Sequence, residues 1–447
     1  MKLGVLKTQA LRHLALGEHH EALRLYRALI RQVPTDLDAR MKVADVLVHL
    51  RQPELACRVY AAVAWCDLQA GRPLHALVCG QAMRDLGQDA TAIHDSLVAL
   101  YGAGSSRIGS HRRGGRLPPV DPEQMLGPLQ LDSVPAPLAA QVAAEIASDT
   151  STFSFFPPVL APIPLLSELS GEDLGSLLRQ VLIRRVGPRT QLGKQGAQGY
   201  ALLWVASGLV EAFREGPPRQ VLARLGEGEL FGERALLGPM PAPASLETCE
   251  PTDLIELPVR ALRQAAAASP GLREVLDRLV CDRLLRQLLG RSPVFSPLTA
   301  GQRLDLLRRA TVYELPDEAL LHREGEALPG VYLVLTGRLE AIRGVEPFET
   351  LVESLGPGDA IGEADLLRPQ PITVTLRAAG PVKVALLPRE AFDKAVAAVP
   401  SAQRHLQALP SEVLRELSGV RRSVLVQPGA PLTREPDEEL RTEFPLI

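Results

Sequence analysis

Two Gly-Glu steps, Gly232-Glu233 and Gly362-Glu363, are the residues best placed to do chemistry in this 447-residue chain. Each lies in one shared frame: Leu225-Gly-Glu-Gly-Glu-Leu-Phe-Gly-Glu-Arg-Ala-Leu-Leu237 and Leu355-Gly-Pro-Gly-Asp-Ala-Ile-Gly-Glu-Ala-Asp-Leu-Leu367. The first two glycines of the frame suit a tight turn, where positive φ costs glycine little. The Gly-Glu step follows an apolar residue and precedes helix-forming Ala and Leu, which places it at a helix N-terminus. Free amides and the helix dipole there favour an anion. The carboxylate beside them can accept hydrogen bonds from sugar hydroxyls. Taken alone, the pattern is more often that of a surface turn.

The two frames stand 130 residues apart, at Leu225 and Leu355. Leu257-Pro258 and Leu387-Pro388 keep that spacing, while Gly196 and Gly208 return as Gly325 and Gly337 at 129. A repeat this long is a duplicated domain rather than a solenoid unit. Residues 163–291 and 292–410 are the two copies. Each is expected to open with a short amphipathic helix, at 169–178 and 298–307. Strands bounded by Gly or Pro follow at 200–205, 209–213, 331–335 and 339–342. After the Gly-Glu frame come a further strand (253–257, 382–386) and a proline-started helix (258–267, 388–399). The fold class is therefore multidomain α plus β, with an antiparallel barrel or jelly roll in each copy.

At this point the two copies resemble cyclic nucleotide-binding domains, the fold of catabolite-activator regulators, kinase regulatory subunits and nucleotide-gated channels. The resemblance rests on Gly196 and Gly325 in an early turn, and on the strand–Gly–strand steps Val205-Ala-Ser-Gly-Leu-Val-Glu-Ala212 and Leu335-Thr-Gly-Arg-Leu-Glu-Ala341. It rests most on the cassettes Phe231-Gly-Glu-Arg-Ala-Leu-Leu237 and Ile361-Gly-Glu-Ala-Asp-Leu-Leu367. It implies that the cassette Glu holds a ribose hydroxyl, that cassette amides and an Arg hold a cyclic phosphate, and that a helix after the barrel moves on binding. The implied ligand residues are Gly232, Glu233, Arg234, Ala235 and Ser245 in the first copy, and Gly362, Glu363, Ala364, Arg368 and Thr375 in the second. The one cofactor class admitted is a cyclic nucleotide. The family cassette continues Pro-Arg-Ala-Ala-Thr, whereas this chain reads Pro241-Ala-Pro-Ala-Ser245 and Pro371-Ile-Thr-Val-Thr375. Ala242 and Ile372 therefore stand where the phosphate-binding Arg is expected. Arg offers phosphate a fixed, bidentate charge that neither residue replaces. Neither cassette is expected to bind cyclic AMP or cyclic GMP tightly.

Residues 1–102 read as helix throughout. Ala10, Ala22 and Tyr26 return as Ala44, Ala56 and Tyr60, each 34 residues later. That period resembles the tetratricopeptide repeat, in which small residues let helices approach and an aromatic fills the gap. The resemblance implies a groove for a protein partner. Residues 103–162 turn Gly- and then Pro-rich and read as a linker, with a short helix at 139–147. Arg107, His111, Arg112, Arg113 and Arg116 form a small basic cluster there, most simply solvated charge. Phe153, Phe155 and Phe156 end the segment, open to docking on either the next domain or a partner.

Net charge is −3 and apolar content 46%, ordinary for a globular chain and without the basic excess of a nucleic-acid binder. Cys57, Cys66, Cys79, Cys249 and Cys281 lack zinc-ligand spacing and read as reduced core thiols. With no signal core and no long apolar run, the expectation is a cytoplasmic protein without membrane insertion. Histidines 13, 19, 20, 49, 75 and 94 read as structural, and Gly226, Gly228 and Gly232 have the wrong spacing for a dinucleotide fold. Residues 411–447 are expected to be one short helix (411–417) and a tail, too little for a DNA-reading domain. The leading expectation is a non-enzymatic regulatory adaptor, its helical repeats binding a protein partner. Its rivals are a cyclic-nucleotide sensor and, less favoured, a catabolite-activator-type transcription factor.

Overall fold

Small residues at a helical spacing let helices pack closely, and the alanines of the 34-residue period are all wholly buried: Ala10, Ala22, Ala44 and Ala56. Tyr26 and Tyr60 are buried with them. The helices they build are α1 (Leu3–Ala15), α2 (His19–Gln32), α3 (Leu37–His49), α4 (Pro53–Ala70), α5 (Pro73–Asp85) and α6 (Thr91–Tyr101). Each packs on its neighbour in sequence. Pro53 and Pro73 start α4 and α5, where a missing N–H costs nothing. The computed structural model describes residues 1–409 and 422–423, apart from 110–114, 116, 130, 132–133, 154, 164, 238–240, 345–347 and 369. His111, Arg112, Arg113, Arg116 and the helix expected at 411–417 lie outside the described residues.

The chain divides into two compact units, Met1–Leu279 and Val280–Ile447. In the first, the Pro-rich segment lies against the helices. Its helix α7 (Ala136–Ser148) packs on α2, α3 and α4. Buried Arg40 of α3 donates to the carbonyls of Pro34, Ile146, Ala147 and Asp149 and to the Thr152 hydroxyl, at 2.6–3.2 Å. The Ile146, Ala147 and Asp149 carbonyls end α7, so one cation satisfies the orphan acceptors of a helix C-terminus. Phe153 and Phe156 stack 5.6 Å apart and pack against Leu37, Cys66 and Ala70, with Trp65 edge-on to Phe156. Two of the three phenylalanines thus dock on the helices, and Phe155 stays 67% exposed.

The rest of the first unit is α8 (Gly171–Leu178) and a two-sheet antiparallel sandwich, followed by α9 (Val259–Ala268) and the start of α10 (Pro270–Arg291). The strands are β1 (Leu182–Val186), β2 (Gln191–Gly193), β3 (Ala201–Ser207), β4 (Val210–Arg214), β5 (Gln220–Leu225), β6 (Leu230–Phe231), β7 (Ser245–Thr248) and β8 (Thr252–Pro258). One sheet runs β1-β8-β3-β6 and the other β2-β7-β4-β5. Strand β3 is apolar at nearly every position because both of its faces are covered. Leu203, Val205 and Ala201 face the sandwich interior with Val210, Phe231 and Leu254. Leu202, Trp204 and Ala206 instead join the core of the helical array, where α5 packs on β3 and β8.

The second unit repeats the sandwich. After α11 (Ala300–Arg309) come β9 (Thr311–Leu315), β10 (Leu320–His322), β11 (Gly330–Thr336), β12 (Leu339–Arg343), β13 (Thr350–Leu355), β14 (Asp359–Ile361), α12 (Glu363–Leu367), β15 (Thr375–Ala378), β16 (Val382–Pro388), α13 (Arg389–Ala397), α14 (Pro400–Gln407) and β17 (Arg422–Ser423). Its sheets run β17-β14-β11-β16-β9 and β10-β15-β12-β13, all pairs antiparallel. Each copy is the jelly-roll form of the expected barrel. The strands expected at 200–205, 331–335 and 382–386 lie within one or two residues of β3, β11 and β16. Four of the five cysteines are buried thiols; Cys249 is exposed because it sits in the turn between β7 and β8. Among the described residues, no helix is long and apolar enough to cross a membrane.

Candidate nucleotide cassettes

Both Gly-Glu steps are built alike. Gly232 and Gly362 adopt φ of +90° and +95°. A Cβ there would lie 2.4 Å from the Ala201 carbonyl oxygen and 2.7 Å from that of Gly330, so only glycine fits. A 3-10 turn (Glu233–Leu237) follows the first, and α12 the second. Glu233 is 8% and Glu363 1% exposed, so the paired carboxylates turn into the protein. Each short helix is held from behind by an arginine of the helix that follows the sandwich. Arg263 of α9 donates to the carbonyls of Ala235 and Leu236, both at 3.2 Å. Arg389 of α13 donates to Leu366 at 3.1 Å and to Asp365. Burial raises the Asp365 carboxyl, and Arg389 partly offsets it.

The far wall is equally matched. Gly196 and Gly325 donate to the carbonyls of Ala242 and Ile372, at 2.9 and 2.8 Å. The amides of Ala242 and Ile372 return bonds to Ala197 and Glu326. Ser245 accepts from the Gln195 amide at 2.8 Å, and Thr375 from the Glu324 amide at 3.1 Å. Sequence reasoning missed the acids here. The Ser245 hydroxyl donates to Glu215 at 2.5 Å. In the second copy the Glu324 carboxylate accepts from Gly344 at 3.4 Å. Ile372, like Leu321 and Leu315, packs against the sandwich core. His322 spans Tyr332 (3.0 Å) and Glu326 (3.1 Å) in the same copy, and burial pushes the Tyr332 phenol up to about 12.

Of the residues expected in a ligand site, the fold gathers Gly232, Glu233 and Ala235 on one short turn, and Gly362, Glu363 and Ala364 on another, with Ser245 and Thr375 on β7 and β15. The Arg234 side chain lies outside the described residues. Arg368 caps α12 and is exposed. Among the described residues no His, Cys, Asp and Glu cluster is arranged to hold a metal. The arrangement offers buried carboxylate acceptors and turn amides. At Ala242 and Ile372 it offers alkyl groups in place of a cation.

The first sandwich also meets the helical array. Arg185 of β1 binds both Asp45 oxygens, at 2.8 and 2.9 Å, and Asp253 of β8 at 3.0 Å. Tyr60 and Lys42 complete Asp45, at 2.7 and 2.9 Å. Burial pushes the Asp45 carboxyl up, but Lys42 and Arg185 outweigh it and hold it well below the usual carboxylate range. The same positions in the second copy carry Glu314 and Lys383, a cross-strand pair at 2.7 Å with its charges exchanged. That exchange was readable at the repeat offset; the partner Asp45, 140 residues from Arg185, was not.

Comparison with known proteins agrees with this geometry. Residues 183–269 and 313–398 match the cyclic nucleotide-binding domain. The cyclic AMP receptor protein of Thermus thermophilus is 35% identical over 161 residues, covering 30% of this chain and 73% of that protein. The chain belongs to the cyclic nucleotide-binding domain family, with two such domains in tandem. A cAMP-dependent protein kinase regulatory subunit of Yarrowia lipolytica is 27% identical over 230 residues, covering 52% of this chain. The chain spans 58% of the length of that relative. Among solved structures, the regulatory domain of Toxoplasma gondii PKA with cAMP matches 54% of this chain and 90% of its own at 25% identity, with a TM-score of 0.25.

Proposed function

We propose that this chain is a non-enzymatic, cytoplasmic regulatory protein whose tandem nucleotide-binding folds act as a docking and regulatory body. Residues 1–102 form a tetratricopeptide-like array that takes a protein partner, 103–162 a connecting segment, and 163–291 and 292–410 the two regulatory domains. Kinase regulatory subunits among the relatives support the regulatory reading. The observation that carries it is the pair of intact cassettes with Ala242 and Ile372 at the phosphate-binding position. Losing one charge-assisted hydrogen bond removes about 1.5–3 kcal/mol, or one to two decades of affinity. Glu215, bonded to Ser245, adds negative charge near the place where an anion would bind. The buried Glu233 and Glu363 favour one second reading, a true cyclic-nucleotide sensor with weakened pockets.

Thermal unfolding separates the two readings. At a ligand concentration of about a thousand times Kd, a sensor gains about 4 kcal/mol, several degrees of Tm. With cyclic AMP or cyclic GMP at about 1 mM, this chain is expected to shift by less than about 2 °C. A shift of several degrees would favour the sensor.

A further inference from the structure

We infer that the helical array is mechanically coupled to the first cassette through Glu227, a residue replaced by Pro357 in the second copy. Glu227 occupies the turn between β5 and β6, six residues before Glu233 in the same frame. Two hydrogen bonds hold that turn: Gly228 donates to Val205 at 2.8 Å and Gly226 to the Glu229 carboxylate at 2.6 Å. The Glu227 carboxylate faces α5, 3.5 Å from His75 Nδ1 and 4.0 Å from Arg72 Nε. Both partners are fixed from the array side. Arg72 binds Asp38 of α3 at 2.5 Å and lies 3.5 Å from Asp67 of α4, and His75 is 3% exposed. The cassette turn is thus tied to three helices of the array through one carboxylate.

The duplicated domain provides the internal control. Pro357 stands at the position of Glu227 in the second frame, Glu314 at that of Arg185 and Lys383 at that of Asp253. The two copies thus differ at each of these three positions. A displacement of the first cassette therefore reaches α5, whether a ligand or a substitution causes it. The connection exists whether or not nucleotide binds, so its test is separate from that of the proposed function.

Hydrogen–deuterium exchange on the full chain reads the coupling. Glu227→Gln removes a partly buried ion pair, so amides of the first turns of α5 should exchange about two- to fivefold faster. His75→Gln should do the same, and the double variant should add little to either. Gly232→Ala displaces the first cassette and should speed α5 exchange in the parent, but less in the Glu227→Gln background. Gly362→Ala, in the second cassette, should leave α5 unchanged. Unchanged α5 exchange in Glu227→Gln and His75→Gln overturns the inference, even if Gly232→Ala does not fold. An equal response of α5 to Gly362→Ala and Gly232→Ala overturns it as well.

Discussion

Replacing Arg185 by methionine is expected to destabilise the first unit by about 3 kcal/mol, the low end for stripping one partner from a buried ion pair. Asp45 is left behind with its side chain 10% exposed, which is costly. The loss stays at the low end because the Arg185 side chain is itself 36% exposed and Lys42 remains on Asp45. The pH dependence has a definite sign. The folded Asp45 carboxyl titrates below its unfolded value of about 3.9, so its stabilisation is complete above that pH and is lost as the pH falls through the folded value. Without Arg185 the folded value rises, and acid unfolding begins at a higher pH. Urea titration at pH 7 and an acid series check both. An unchanged midpoint together with an unchanged acid limb would show that Arg185 does not hold the array to the sandwich.

Truncating Trp204 to alanine should cost about 3–5 kcal/mol, the usual range for a large buried aromatic. Trp204 is 2% exposed and belongs to the core of the array although it is carried by β3. Helical and sheet signals of the first unit should therefore fall together. Limited proteolysis of the variant should open both the array and the first sandwich. A loss confined to the sandwich, with the helices as resistant as before, would show two separate cores.

Much of this was legible in the sequence because it is local or periodic. The 130-residue offset located both sandwiches, and Gly232 and Gly362 declared the cassette turns through a conformation only glycine adopts cheaply. The 34-residue spacing of Ala10, Ala22 and Tyr26 marked residues that are all buried. Strands β5 and β13 were missed because their side chains are mostly exposed and carry no alternation that reports burial. The attachment of the array to the first sandwich was hidden for a different reason. Asp45, Arg185 and Asp253 are ordinary surface-type residues whose pairing depends on a tertiary contact. The Pro-rich segment read as a connection because composition reports chain stiffness, whereas its docking depends on Arg40 and two of three neighbouring phenylalanines.

The missing phosphate charge decides what the cassettes bind, and calorimetric titration with cyclic AMP and cyclic GMP tests it most directly. The unmodified chain should give weak or no heat with either nucleotide. Ala242→Arg restores a fixed cation on the strand-entry segment pinned between Gly196 and Ala197, and should gain about one to two decades in affinity. Submicromolar binding by the unmodified chain would contradict a decayed phosphate site and make Arg234 and Arg368 the first candidates for the charge that Ala242 and Ile372 lack.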